Sequence, residues 1–575
     1  MQEVMQREDN QSVVFRIPNV AKKTRLPAVG LSTLTAFVVV WCLLVLNQSL
    51  WRHLLEWRPV ESFEDLAFVL SFGVLAFIVT YLFLTPLTLS RRATKPIVAV
   101  LLVISSAAAY FVSRYGILID KTMIRNVFAT NTTESLELLT VGLVLQVTFF
   151  GVIPALVVVR WPLKVQSVRE RVAHRAAVIA ALFMALGGIA AIFYQPHASL
   201  LRNHREARHM LSPINILSSV GSLAAEAIRQ PLPYEAIAAG VKLGPHWSNL
   251  LLSKNHEEQP EHRPTLLVLV VGETARAKNF GLNHYLRQTT PQLQSIPNVV
   301  AFDRVTACGT STAISVPCLF SDLSREEFSV RRARARDNLL DVMERAGFDI
   351  VWFDNNTSCN GACGDRVEVR VDSTASSDLC PPATPCMDGA LFEKVWKKLE
   401  HINRDTVLVI HMLGSHGPGY HLRYPKEYER FTPVCRETDF SLCTIQEIVN
   451  AYDNTILYSD TLLAETIGRL SNQSQRMDSA FIYVSDHGES LGEKGLFLHA
   501  IPYAVAPKEQ LEVPMVFWMS SGFGKHMGLS SDCIREARHR PVSHDFLFHS
   551  VLGLMDITLP AKRTELDLFS PCVRG

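Results

Sequence analysis

Apolar positions along this chain follow two different rules, and the change falls near residue 195. Before it they form unbroken runs of about 20 residues, long enough to cross a bilayer as helices. Five such runs are the predicted spans: 29–50, 65–88, 97–113, 137–159 and 174–194. After residue 264 the runs shorten to strand length and alternate with helical patterns. They read TLLVLVVGE (265–273), an amphipathic stretch at 337–346, FDIVWFDNN (348–356), DTVLVIHMLGSHG (405–417), FIYVSDHGES (481–490) and VPMVFWM (513–519). Continuous apolar strands separated by helices predict a mostly parallel sheet covered on both faces. The expected fold class is therefore an α-helical membrane domain (29–194) followed by an α/β domain (264–575). Between them, 195–263 is mixed, amphipathic from Leu211 to Ile228 and closed by a polar run holding Pro260. That pattern predicts a bridging linker lying along the bilayer surface.

Basic residues orient the spans. The segment 1–28 (Lys22, Lys23, Arg25), the loop 89–96 (Arg91, Arg92, Lys95) and the loop 160–175 (Arg160, Lys164, Arg169, Arg171, Arg175) are the richer set. The alternate loops, 51–64 and 114–136, carry fewer basic residues for their length. By the positive-inside tendency, 1–28 is cytoplasmic and, after five spans, the chain from about 195 onward lies outside. The first run is too long for a cleaved signal, and no small-residue cleavage site comes before Trp51 and Arg52. A hydrophobic fraction of 48% with 19% charged residues fits a membrane part averaged with a soluble one. The net charge of +1 excludes general nucleic-acid binding, which needs a broad basic face.

Cysteine usage points to the same topology from different residues. Cys42 lies alone in an apolar run, and the other ten all follow residue 300. Close neighbours are Cys308 and Cys318, Cys359 and Cys363, Cys380 and Cys386, and Cys435 and Cys443, with Cys533 and Cys572 left as a long-range fifth pair. Ten cysteines permit many connectivities, so neighbour pairing is one choice among them. Zinc-binding thiolates are the rival reading, but the spacings lack a second CxxC half. Disulfides imply an oxidising compartment such as a periplasm.

The candidate chemistry starts in CGTSTAISVPC (308–318), which places Thr310, Ser311, Thr312 and Ser315 between two cysteines. A Ser/Thr-rich turn stapled for stability is the plain reading of that stretch alone. Other polar residues follow the apolar strands: Glu273, Asn355 and Asn356, His416, and the Asp486–His487 pair, with His499 in a later loop. Functional groups collect at the carboxyl ends of parallel strands, so the set reads as one site for metal or phosphate chemistry. Glu, Asp, His and a hydroxyl form a mixed N/O set suited to zinc, with manganese the other choice. In the loop 114–136, Asn126, Thr130 and Glu134 are four apart and would share one face of a continuous helix, which most simply is a solvated face.

Five stretches, VVGETAR (270–276), CGTSTAISVPC (308–318), GSHGP (414–418), NAYDN (450–454) and SDHGESLGE (485–493), resemble the signatures of the lipid A phosphoethanolamine transferases, a family that includes the mobile colistin-resistance enzymes. The likeness runs through the whole chain and implies an alkaline phosphatase/sulfatase-like periplasmic domain. It implies a Zn2+ site at Glu273, Thr312, Asp486 and His487, with Thr312 as the nucleophile that carries phosphoethanolamine. It implies a substrate contact at Asn356, contacts of His416 and His499 with the phosphoethanolamine group or a second zinc, and lipid-substrate contacts at Asn126, Thr130 and Glu134. Phosphatidylethanolamine would be the donor, a lipid A phosphate the acceptor, and the outcome a less anionic surface that resists polymyxins. A monomer among membrane lipids is expected. The chain departs from the family pattern at Ala500, where glycine is usual, and at His421, where an aromatic residue is common. On the same fold, a sulfatase would need a C/S-x-P-x-R setting that the nucleophile stretch lacks. A phosphoglycerol transferase and transfer to a core sugar remain the alternatives.

Overall fold

The computed structural model describes residues 27–573 except 131, 248–262, 357, 367, 372–376 and 382–383. Nearly all of the predicted cytoplasmic segment and the end of the linker lie outside the described residues. Among the described residues, four helices are long and apolar enough to span a membrane: Phe63–Leu84, Arg91–Tyr115, Val141–Arg160 and Val168–Asn203. The first predicted span, 29–50, is not a straight helix. It is a bent pair, Leu31–Leu46 and Gln48–Trp57, turning by 62°. The cause is Asn47, buried at the break, whose side-chain amide donates to the carbonyls of Cys42 and Ser212 and accepts from the Ser212 amide. A side chain thus replaces the ladder bonds that a continuing helix would make. The last span also runs past its expected end at 194, to Asn203, before a connection holding the short helix Ala207–Met210 leads to the helix Ile214–Ile228.

The soluble part is built on one seven-stranded sheet. In chain order its strands are β1 (Thr265–Gly272), β2 (Val300–Ala301), β3 (Asp349–Asp354), β4 (Glu368–Arg370), β5 (Thr406–His411), β6 (Asp478–Ser485) and β7 (Met515–Met519). The spatial order is β2-β7-β6-β1-β5-β3-β4. From β6 to β4 every pairing is parallel, while β7 and β2 each run antiparallel to their inner neighbour. β1, β5 and β6 are buried at every position, which is why they read as unbroken apolar runs. Their carboxyl ends lie side by side, so Glu273, Met412 and Asp486 emerge together.

The two parts meet at the outer end of the helix Arg91–Tyr115. There the Tyr110 hydroxyl donates to Asp439 Oδ2 (3.2 Å) and the Tyr115 hydroxyl to the Thr438 carbonyl (2.9 Å). The receiving loop is closed by the disulfide Cys435–Cys443. The other disulfides join Cys308 to Cys318, Cys359 to Cys363, Cys380 to Cys386 and Cys533 to Cys572, leaving Cys42 free and buried.

Candidate active site

Thr312 opens the helix Thr312–Leu319, with Ser311 as its N-cap. Its Oγ1 lies 3.0 Å from Glu273 Oε2, 3.2 Å from Oε1 and 3.4 Å from His487 Nε2. The neighbouring hydroxyls are turned elsewhere. Thr310 Oγ1 donates to the Ile501 carbonyl (2.7 Å), and the Ser311 and Ser315 hydroxyls are buried without a partner among the described residues. Geometry therefore singles out one of the four hydroxyls that spacing leaves equivalent. The Cys308–Cys318 bridge and a buried apolar cluster with Leu323, Phe328 and Val330 hold this turn.

Glu273, Asp486 and His487 are wholly buried and bring their ligand atoms within 4.8 Å of one another. His487 Nε2 sits 3.3 Å from Glu273 Oε1 and 3.4 Å from Asp486 Oδ2, while its Nδ1 bonds to the Gly488 carbonyl at 2.9 Å. A carbonyl partner at Nδ1 turns Nε2 toward the acids, as in histidines that ligate metals. Glu273 also accepts from Asn356 Nδ2 (2.7 Å). Gly414, at φ +54°, lets its loop pass close by, since a Cβ there would stand 2.6 Å from the Glu273 carbonyl oxygen. Asp388 fixes that loop by accepting from the amides of Leu413 and Gly414.

Burial and charge compete here. Burial raises the Glu273 carboxyl, but the His487 hydrogen bond and charge, with His416 and His499, hold it well below the usual carboxylate range. Asp486 is pushed up to about 6, by burial first and by the Glu273 charge next. His487 would be lowered by burial, yet Asp486 and Glu273 raise it to about 10. Two acids thus hold a positive charge between them, and Asp486 Oδ2 is left buried without a hydrogen bond among the described residues. A site that concentrates a cation this way, with two carboxylates, an imidazole nitrogen and a hydroxyl converging, fits zinc.

Two further histidines complete the rim. The His499 ring centroid is 4.5 Å from that of His487 and 5.5 Å from that of His416. Burial lowers His416 to about 3, so its imidazole is neutral. His499 Nδ1 bonds to Glu489 Oε2 (3.0 Å), and Glu489 Oε1 accepts from the Tyr420 hydroxyl (2.8 Å). Ala500 takes φ +68°, a conformation that favours glycine, and its amide donates to the Thr310 carbonyl, tying the His499 loop to the nucleophile turn. Glu489 and Tyr420 were missed in sequence, although Glu489 stands two residues after His487. His544 was missed too: it accepts from the Cys308 amide through Nδ1 and bonds the Ser485 carbonyl through Nε2.

Asn126 and Thr130 are not in this cluster. Asn126 lies on the helix Lys121–Ala129 and Thr130 caps its C-terminus; this helix packs against the helix Thr312–Leu319. The single helical face expected for Asn126, Thr130 and Glu134 does not form. Thr130 turns extended and its hydroxyl bonds back to the Asn126 carbonyl, ending the helix, and a second helix starts at Thr132. The Glu134 side chain lies outside the described residues.

Comparisons with known proteins agree with this geometry. Residues 75–228 match the family described as "Phosphoethanolamine transferase EptA/EptB", and residues 265–557 match "Sulfatase". The chain is 35% identical over 555 residues to the phosphoethanolamine transferase EptA of Escherichia coli K12, covering 96% of this chain and 98% of that one. It is 33% identical to the phosphatidylethanolamine transferase Mcr-1 of Escherichia coli, covering 91% and 95%. The solved integral membrane protein lipooligosaccharide phosphoethanolamine transferase A from Neisseria meningitidis superposes with a TM-score of 0.89 at 36% identity, covering 96% of this chain and all of that one.

Proposed function

Because the chain belongs to the EptA/EptB family of phosphoethanolamine transferases, we propose that it is a multi-pass inner-membrane enzyme with its catalytic domain in the periplasm, and that it moves phosphoethanolamine from phosphatidylethanolamine to a phosphate of lipid A through a covalent intermediate on Thr312. The observation that carries this reading is the placement of Thr312 Oγ1, 3.0 Å from Glu273 beside the buried Glu273–Asp486–His487 triad.

Thr312 Oγ1 gives up its proton and forms a bond to the donor phosphorus as the phosphorus–glycerol oxygen bond breaks, and the departing diacylglycerol oxygen takes up a proton. In the second half a phosphate oxygen of the acceptor attacks the same phosphorus and frees Thr312. Glu273, Asp486, His487 and Thr312 would hold a zinc ion, which would supply the Lewis acidity that favours the ionised hydroxyl. The start of the helix Thr312–Leu319 presents amide N–H groups toward the transferred anion. Asn356, His416 and His499 border the phosphoryl group, where an amide and two imidazoles can hydrogen-bond its oxygens and exchange the proton taken up by the leaving oxygen. Asn126, Thr130 and Glu134 belong to the lipid-receiving side. The added amine lowers the anionic charge of the outer surface, which weakens attraction of polymyxins and other cationic peptides.

The test is intact-peptide mass spectrometry of the full chain incubated with phosphatidylethanolamine. Wild type carries phosphoethanolamine on the peptide holding residue 312, whereas Thr312→Ala carries none, transfers none and stays folded. Full transfer by Thr312→Ala refutes the covalent route.

A further inference from the structure

A groove of about 540 Å³ lies between three elements: the helix Lys121–Ala129, the end of the amphipathic helix Ile214–Ile228 with the segment after it, and the short helix Val330–Ala333 with the two residues that follow it. Four guanidinium groups line it, from Arg125, Arg229, Arg331 and Arg334. One carboxylate, Glu226, faces them, and it is shared: Lys121 bonds to it at 3.0 Å and Arg125 at 3.3 Å. Arg229 and Arg334 have no ion-pair partner among the described residues, and Arg331 donates only to the neutral carbonyl of Gln230. Positive charge is therefore uncompensated in a concave site, where low-dielectric walls strengthen its hold on an anion.

The groove is also placed for a lipid. Its amphipathic wall is fixed to the membrane helices through Ser212, which bonds both Asn47 and Asn215. Ile228 (84% exposed) and Tyr234 (62%) form an apolar lip beside it. Arginine heads behind an apolar lip suit a phosphate at the level of lipid headgroups. Its walls are shared with the reaction centre as well. Val330 packs in the same buried cluster as Cys308 and Cys318, which frame Thr312, and Arg125 precedes Asn126 on the helix that packs along the nucleophile's helix.

We propose that this groove holds a second phosphate of the acceptor, so that the enzyme prefers a glycolipid bearing two phosphates, one anchored by Arg125, Arg229, Arg331 and Arg334 while the other meets Thr312. The inference rests on the transfer reaction proposed above. The donor does not account for the groove: a zwitterionic headgroup has one phosphate, and that phosphate is the one at Thr312.

The full-length double variant Arg331→Ala/Arg334→Ala in lipid nanodiscs tests the proposal, with bisphosphorylated and monophosphorylated lipid A as the two acceptors. Loading of Thr312 from phosphatidylethanolamine, measured without acceptor, stays within about twofold of wild type. The KM for bisphosphorylated lipid A rises about tenfold or more, while that for the monophosphorylated form does not move, so wild type's preference is lost. An unchanged KM for the bisphosphorylated acceptor, an equal loss with both acceptors, or a parallel fall in loading each overturns the proposal. Direct binding of bisphosphorylated lipid A to Thr312→Ala nanodiscs, with and without the arginine changes, needs no turnover. If wild type fails to load from phosphatidylethanolamine the transfer reading fails, and this binding arm still decides the groove.

Discussion

Arg423 grips Glu137 through two N–H···O bonds of 3.1 and 2.6 Å across 286 residues of sequence. Both side chains are almost wholly buried, at 1% and 8% exposed. The same guanidinium donates through Nε to the backbone carbonyl of His416 (2.8 Å). A carboxylate in the outer loop between two membrane helices therefore holds the arginine that holds an active-site histidine loop. Removing one member of such a buried pair leaves the other charged and unpaired.

Glu137→Ala is accordingly expected to destabilise the chain by about 3–5 kcal/mol, and Arg423→Ala by a similar amount. The double variant Glu137→Leu/Arg423→Met should recover much of that loss, because no unpaired charge remains. It should still transfer slowly, since the His416 carbonyl has lost its donor. A double-mutant cycle read by thermal unfolding in detergent, alongside transfer rates, checks both parts. Additive single effects would dissolve the link.

Metal removal should separate chemistry from folding. Glu273, Asp486 and His487 are positioned by their own hydrogen bonds, from Asn356 to Glu273, from the Thr274 amide to Asp486 and between His487 and the Gly488 carbonyl. Dialysis against a chelator is expected to abolish transfer while far-ultraviolet circular dichroism stays unchanged, and added zinc restores activity. Zinc at 100 times its dissociation constant should stabilise the wild type by about 2.7 kcal/mol. Asp486→Ala should lose most of that gain in the same melting assay.

His544 gives the fold an acid-sensitive joint. Burial lowers its pKa to about 3, and as a neutral ring it accepts from the Cys308 amide and bonds the Ser485 carbonyl. Its folded pKa lies below the unfolded value of about 6.5. The stability it contributes is therefore complete above pH 6.5 and is lost as pH falls toward 3. The slope is up to about 1.4 kcal/mol per pH unit over that window. His544→Gln keeps one donor and one acceptor without the titration, so its stability curve should be flatter between pH 6 and 4 in denaturant melts (window from the same pKa values, about 6.5 and about 3). An equally steep curve would place the acid sensitivity elsewhere.

What could be read in sequence was whatever a local pattern encodes. β1, β5 and β6 are buried on both faces, so their apolar runs announce them; Glu273 and Asp486 directly follow β1 and β6, while His416 lies farther along the loop after β5. β2 and β4 span only two and three residues, too short for any period to show. The bend in the first span has no local signal, because Asn47 makes it by bonding Ser212, a partner 165 residues away. The break after Asn126 has no local signal either, because a threonine that bonds back to the carbonyl four residues earlier looks, in sequence, like any helical threonine. Arg423, Glu137 and His544 each act through a partner remote in the chain. Nothing in their own neighbourhoods distinguishes them from surface residues.

Glu489 shows how such an indirect residue acts on the site. It is wholly buried and receives two hydrogen bonds, from the Tyr420 hydroxyl and from His499 Nδ1. A carboxylate at Nδ1 fixes the ring's orientation and directs Nε2 toward the reaction centre, where His499 lies against His487. Glu489→Gln is expected to lower transfer by about 10- to 100-fold, since an amide can turn an N–H against the ring and let it rotate. Tyr420→Phe removes one donor and leaves the carboxylate, so it should cost about 1–3 kcal/mol of stability with a smaller loss of rate. Steady-state kinetics on both variants, with zinc content measured on the same samples, separates the two effects. A Glu489→Gln enzyme that keeps wild-type turnover would show that His499 holds its place without this partner.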